Sequence, residues 1–245
     1  MSDPASVVCT RALQIAKCTS GMLPQAGQIL NEVLTELAQT YDLQTNITTT
    51  TITLTGNTPN NGVGPYNLPT DYLRACSRDL TYYVSGVPRR LIQITLAQFD
   101  ILINTLGVSS YPGNYATDIS QQAVLANGNP VLYVYPPPLL VIPLQIRYFN
   151  LPLDIVTPET SSSIPWFPNS TYLIRRVAGE LMAITGDPRA DTYLGDGPQG
   201  CIGILRRWLN LQGDREDTAS TIQLDARYFG AGGAAYEPSK ITGGV

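Results

Sequence analysis

Apolar residues recur at three- and four-residue intervals through Ala26, Ile29, Leu30, Val33, Leu34, Leu37, Ala38 and Tyr41, with Gln28, Glu32, Glu36 and Gln39 between them. This spacing predicts a helix over Pro24–Tyr41 with a single apolar stripe. Pro24 suits its first position, where the missing N–H costs nothing. Such a helix, roughly 27 Å long at 1.5 Å per residue, needs partners to cover its stripe. A shorter stripe of Val8, Ala12, Ile15 and Ala16 predicts a preceding helix from Pro4 to about Lys17, capped by Ser2 or Asp3, with Thr19–Gly21 as the turn between. The same pattern returns late in the chain. Asn169 or Ser170 opens a helix that stops at Gly186, with Tyr172 or Leu173, Val177, Leu181 and Ile184 facing in. A last helix runs from Pro198 to about Gln212, with Ile202, Leu205, Trp208 and Leu209 inward and Arg206, Arg207 and Asn210 outward.

Between these ends the period changes to two. Asn46–Gly56 reads as a Thr-rich strand, and Asn57–Pro65 as turn chemistry. Leu68–Arg74 reads as a short turn delivering Tyr72 and Leu73 inward. Leu80–Val84 is a strand broken by Gly86-Val87-Pro88, and Leu91, Ile92 and Ile94 suggest another. Thr95 caps a short helix, LAQFDILI. Residues 108–118 read as a loop, and three further strands follow in SQQAVLA, PVLYVYP and VIPLQIRYF, the first two joined by a turn at Asn127-Gly128-Asn129. The predicted class is α+β. A helical bundle from both ends (1–43 plus 166–213) carries an inserted antiparallel β-rich domain (44–165), followed by an extended C-terminal arm (214–245). The arm is Gly-rich with isolated aromatics, a composition that cannot build its own core.

Charged residues make up 14% of the chain, against about 25% in an ordinary soluble domain. A surface so short of charge suits burial against neighbouring subunits, or else a plain polar β-rich domain of a virion or secreted protein. Net charge is −4, which argues against gripping nucleic acid but permits a wall that DNA slides past. All basic residues except Lys17 and Lys240 are Arg, the better residue for planar ion pairs across interfaces. The four cysteines form no CxxC pair and read as small buried hydrophobes in a reducing compartment. No segment resembles a signal peptide or a membrane span, so synthesis and folding in a cytoplasm is expected, with no membrane partner.

The chain contains no histidine, which removes His-based triads and His-ligated metals. No phosphate-cradling loop is present, and no cofactor is expected. Carboxylates are the remaining catalytic option. Glu32 and Glu36, one turn apart, read as a solvated face. Glu180 reads as a structural ion-pair partner of Arg175 or Arg176. The doublets Arg175-Arg176 and Arg206-Arg207 are expected to make inter-subunit contacts with Glu32, Glu36, Asp187 or Asp191, solvated surface being the alternative.

Leu68-Pro69-Thr70-Asp71-Tyr72-Leu73-Arg74, followed by Tyr82-Tyr83-Val84 and Pro88-Arg89-Arg90-Leu91, resembles the core of the head-to-tail adaptors (connector, or tail accessory factor, proteins) of short-tailed phages. The order of elements agrees over about Pro4–Gln212, and Leu68, Pro69, Asp71, Tyr72 and Arg74 carry the motif. The resemblance implies a structural protein rather than an enzyme. It implies a homo-oligomeric, dodecameric ring at the head–tail junction of a virion, between portal protein and tail nozzle or fibre proteins. Genomic DNA would pass through the ring during ejection without specific binding. It also implies that the C-terminal arm docks on the portal, with Arg227, Tyr228, Phe229, Tyr236 and Ile241 in the matching region. The other readings are a carboxylate-based peptidoglycan hydrolase and a carbohydrate-binding tail component that stacks sugars on Tyr111, Tyr115, Tyr133 and Tyr135.

Overall fold

The computed structural model describes residues 2–56, 63–77, 79–104, 111–120 and 128–212. Helices stand towards both ends of the chain and the sheets lie between them in sequence, as the α+β reading expects. The strand expected at SQQAVLA, most of the turn at Asn57–Pro65 and the C-terminal arm fall outside the described residues.

The chain divides into two compact units, residues 1–7 with 27–168 and residues 8–26 with 169–245. The first unit contains both sheets. Strands β1 (Ile47–Leu54), β3 (Tyr72–Ala75) and β8 (Ile142–Asn150) form a three-stranded antiparallel sheet in the order β1-β8-β3. β1 pairs with β8 without interruption, from Ile47 opposite Phe149 to Leu54 opposite Ile142. The second sheet has the order β2-β7-β6-β5-β4, built from β2 (Tyr66–Asn67), β4 (Asp79–Val84), β5 (Val87–Gln93), β6 (Asn114–Asp118) and β7 (Val131–Tyr135). The pair β5–β6 is parallel, so this sheet is mixed rather than purely antiparallel.

The two sheets share one apolar core, in which Leu54, Leu68, Tyr82, Leu91, Tyr115 and Leu144 are fully enclosed. Helix α3 (Leu96–Ile103) begins with a complete capping box: Thr95 accepts from the Gln98 N–H, and the Gln98 side chain accepts from the Thr95 N–H. It covers the other face of the five-stranded sheet, where Phe99 packs with Ala116 and Val63 and its ring lies 5.2 Å from that of Tyr133.

Three local expectations in this unit needed correction. Asn114–Asp118, read as loop, is a central strand. NYATD lacks an apolar alternation, yet Tyr115 enters the shared core and Ala116 lies under α3, so both of its faces are covered. The strand at Leu80–Val84 ends before Gly86 as expected, but Val87 and Pro88, read as part of the break, already belong to the next strand. Ser85 and Gly86 both take positive φ (51° and 80°) and make a two-residue hairpin turn, after which β5 begins at Val87. Pro88 is tolerated because its missing N–H lies on the edge that faces β6, and β6 pairs only with Ile92 and Gln93. Tyr72 to Ala75 is likewise strand rather than turn.

Helix α1 (Ala5–Ala16) and helix α2 (Leu23–Thr40) each span both units. Ala26, Ile29, Leu30, Val33, Leu34, Leu37 and Ala38 of α2 are all buried, while Gln28, Glu32, Glu36 and Gln39 are exposed, as the periodicity requires. In the first unit, the segment 151–168 is tied to the helices through its backbone. The Asn31 amide donates to the Ile155 carbonyl and accepts from its N–H, both at 3.1 Å, and the Ala5 N–H donates to the Ser163 carbonyl at 2.9 Å.

The second unit contains α4 (Ser170–Thr185), α5 (Ala190–Leu194) and α6 (Cys201–Gln212). Asn169 caps α4 by accepting from the Tyr172 N–H at 3.0 Å. Gly186 closes it at φ 71°, the left-handed conformation that glycine adopts without penalty. Tyr172, Leu173, Val177 and Leu181 are buried as expected. Ile184 and Ile202, expected to face in, are 55% and 42% exposed, because the packed faces rotate towards Met182 on α4 and towards Cys201 and Leu205 on α6.

Candidate interaction surfaces

The stretch Leu68–Arg74 brings its side chains to one junction in the first unit. Leu68 is buried, and its N–H donates to the Pro130 carbonyl at 2.8 Å, fixing the motif against the start of β7. The Tyr72 N–H reaches back to the Pro69 carbonyl at 3.1 Å, closing a turn. Asp71 engages the end of β8 twice: its carboxylate accepts from the Tyr148 hydroxyl at 3.0 Å, and its carbonyl accepts from the Leu151 N–H at 2.7 Å. The Tyr72 and Tyr148 rings pack 5.4 Å apart. A register shift between Tyr72 and Arg74 then turns Arg74 towards the end of α2. Its Nε donates to the Asp42 carboxylate at 2.9 Å, its Nη1 reaches the Gln39 carbonyl at 3.4 Å, and its guanidinium lies 5.0 Å from the centre of the Phe149 ring. The motif residues therefore join the sheet to the helix. Burial pushes the Tyr72 hydroxyl up to about 12, and burial together with the hydrogen bond to Asp71 does the same at Tyr148.

Glu32 and Glu36 line an open groove on α2 together with Gln28, Asn31, Thr35, Gln39 and Asp154. The four arginines expected to pair with such acids lie in the second unit and differ in how they are held. Arg176 pairs with Glu180 one turn along at 3.1 Å, and both are half-buried. Arg175 donates to the Gln199 carbonyl at 2.6 Å and sits over the Tyr193 ring. Arg206 pairs with Asp196 at 2.7 Å, and Arg207 donates to the Pro198 and Gly203 carbonyls. Arg206 and Arg207 are exposed. The ion pair expected at Glu180 is thus present. Arg227, Tyr228, Phe229, Tyr236 and Ile241 lie outside the described residues.

Apolar side chains left in solvent were not singled out by the sequence. Leu139, Leu140 and Val141 stand together in the β7–β8 connection, with Val141 68% exposed, and Leu153 and Val156 in the next segment are 92% and 83% exposed. No periodicity marks them, because they sit in loops. Tyr111, Tyr115 and Tyr133, three of the four tyrosines considered as sugar platforms, make other contacts. Tyr115 is wholly buried, Tyr133 packs against Phe99, and the Arg89 guanidinium lies 3.9 Å from the centre of the Tyr111 ring.

Among the described residues no group of three or more Cys, Asp or Glu side chains is placed to hold a metal ion, and no helix is long and apolar enough to cross a membrane. Comparison with curated proteins finds no match. The family profile described as "SU10 adaptor protein" matches residues 19–200, a span that takes in α2, both sheets, the Leu68–Arg74 junction, α4 and α5. With that much of its length matched, the chain belongs to the SU10 adaptor protein family, a family of structural proteins of phage virions.

Proposed function

We propose that this adaptor forms a ring at the head–tail junction, between portal and tail nozzle, and encloses the channel through which genomic DNA leaves. The observation that carries this reading is the set of apolar side chains that a single chain leaves in water, Leu139 to Val141 with Leu153 and Val156, on a family member with few charges. A contiguous exposed apolar run such as Leu139 to Val141 is the kind of surface that a neighbour covers, whereas single exposed apolar residues are ordinary. In this reading the helical ends (1–43 with 166–213) and the β-rich 44–165 make the ring wall. Residues 214–245 dock on the portal through Arg227, Tyr228, Phe229, Tyr236 and Ile241. Glu32 and Glu36 of one subunit face Arg175, Arg176, Arg206 or Arg207 of the next. A head-to-tail arrangement of unlike surfaces is the one that closes rings. A chain of net charge −4 with no histidine suits a wall that lets DNA pass without holding it.

Native mass measurement of the purified protein, alone and with portal protein, tests the reading. A discrete high-order oligomer is expected with portal present, and a chain shortened after Gln212 is expected to lose portal binding. A protein that stays monomeric in both conditions refutes it.

A further inference from the structure

We propose that the outer edge of β1 is an assembly site that takes up an extended strand from a second copy of this chain. The inference rests on the oligomeric reading above and adds where and how the copies join.

Two independent sets of hydrogen bonds identify which backbone groups of β1 face outward. On β8, the Arg147 carbonyl accepts from the Cys76 N–H on the β3 side, so the odd-numbered residues of β8 turn to β3 and the even-numbered ones to β1. Through the pairing of Thr50 with Ile146 and Ile52 with Leu144, the even residues of β1 bond to β8 and the odd ones point away. The Tyr66 hydroxyl confirms the parity. It accepts from the Thr55 N–H at 3.2 Å and donates to the Thr55 carbonyl at 2.9 Å, both on the outer side. The N–H and C=O groups of Thr49, Thr51 and Thr53 therefore lie along the outer edge. β1 is the terminal strand of its sheet, and among the described residues no strand pairs with that edge.

Edge strands are normally blunted by Lys, Pro, a bulge or shortness. β3, at the other edge of the same sheet, is four residues long and carries a register shift. β1 has none of these devices: its eight residues, ITTTTITL, are uncharged and in unbroken register, and seven of them form a β-branched run from Ile47 to Thr53. A strand added here gains a full backbone ladder. The strand presents no charge that would select an acidic or basic partner, and the blunted β3 edge offers no mate for it, so a ring needs the donor strand to come from elsewhere in the neighbouring copy. A second copy fits both conditions, since the chain is itself poor in charge and rich in short strands.

The test is Thr51→Pro, which removes an outward N–H and leaves the bonds to β8 intact. Thr49→Pro repeats it at the neighbouring outward position. Native mass gives the assembly state with portal present, far-ultraviolet circular dichroism checks the fold, and hydrogen exchange follows the Thr49, Thr51 and Thr53 amides in the wild type. The expected result is loss of the oligomer with an unchanged spectrum in the variants, and protection of these amides in the wild-type oligomer at least tenfold above that in dilute monomer. Variants that assemble like the wild type, or amides that exchange freely within the oligomer, overturn the edge as the joint and leave the ring standing. A wild type that is monomeric with and without portal overturns both.

Discussion

The Tyr148 hydroxyl donates a hydrogen bond to the Asp71 carboxylate at 3.0 Å, across 77 residues of sequence. It holds the turn before β3 against the end of β8, where the Tyr72 ring also packs. A hydrogen bond to a charged acceptor contributes about 1.5–3 kcal/mol when its partners are shielded from water. Tyr148→Phe is expected to lower unfolding free energy by about 2 kcal/mol in urea titrations. Asp71→Asn, which keeps an acceptor, should cost less.

The same junction sets an alkaline limit. Tyr72 and Tyr148 are held near 12, above the ordinary tyrosine value, because burial disfavours the phenolate. A raised folded-state value means that the stabilisation is complete below the unfolded value of about 10 and is lost as pH rises through the folded one. The urea midpoint should therefore stay flat to about pH 10 and fall towards pH 12, in step with tyrosinate absorbance. Tyr148→Phe should flatten that fall.

Arg74 bridges β3 and the end of α2 through Asp42 and lies over Phe149, but the pair is partly exposed. Solvent screening limits such a pair to about 0.2–1 kcal/mol, with a further fraction from the aromatic contact. Arg74→Lys is expected to cost about 1 kcal/mol, since an ammonium cannot reproduce the planar contacts, and part of that cost should vanish in 1 M salt. Thermal unfolding at two salt concentrations checks it.

At the end of α4, Asp187 accepts from the Arg189 backbone and guanidinium, which hold its carboxyl down to about 2. A lowered value contributes above the ordinary carboxylate range and is lost as pH falls through the folded one. Arg189→Ala removes the guanidinium but keeps the backbone N–H, so it is expected to move the Asp187 titration only part of the way back towards the ordinary range, read as an upward shift of its carboxyl resonance.

The two ends of α4 give additive losses. Asn169→Ala removes the cap on Tyr172, and Gly186→Ala places a side chain at φ 71°. Each should cost about 1 kcal/mol, and the double variant about 2, because the sites lie a full helix apart. Urea midpoints of the three variants test the sum.

The sequence alone determined what depends on near neighbours. The stripe of α2, the cap at Thr95, the cap at Asn169 and the stop at Gly186 are contacts within four residues, and each was legible for that reason. The surface role of Glu32 and the pairing of Glu180 followed from the same helical geometry. Tertiary structure decided the rest. NYATD became a central strand because α3 and the shared core cover it from opposite sides, and its parallel pairing with β5 leaves no local trace. Asp71 and Arg74 could be seen as a motif but not as a clamp, since Tyr148 and Asp42 are remote in sequence and meet them only after the sheet and helix pack. The outer edge of β1 belongs to the same class: a run of threonines shows that a strand forms, whereas only the strand order shows which side of it has no partner strand among the described residues.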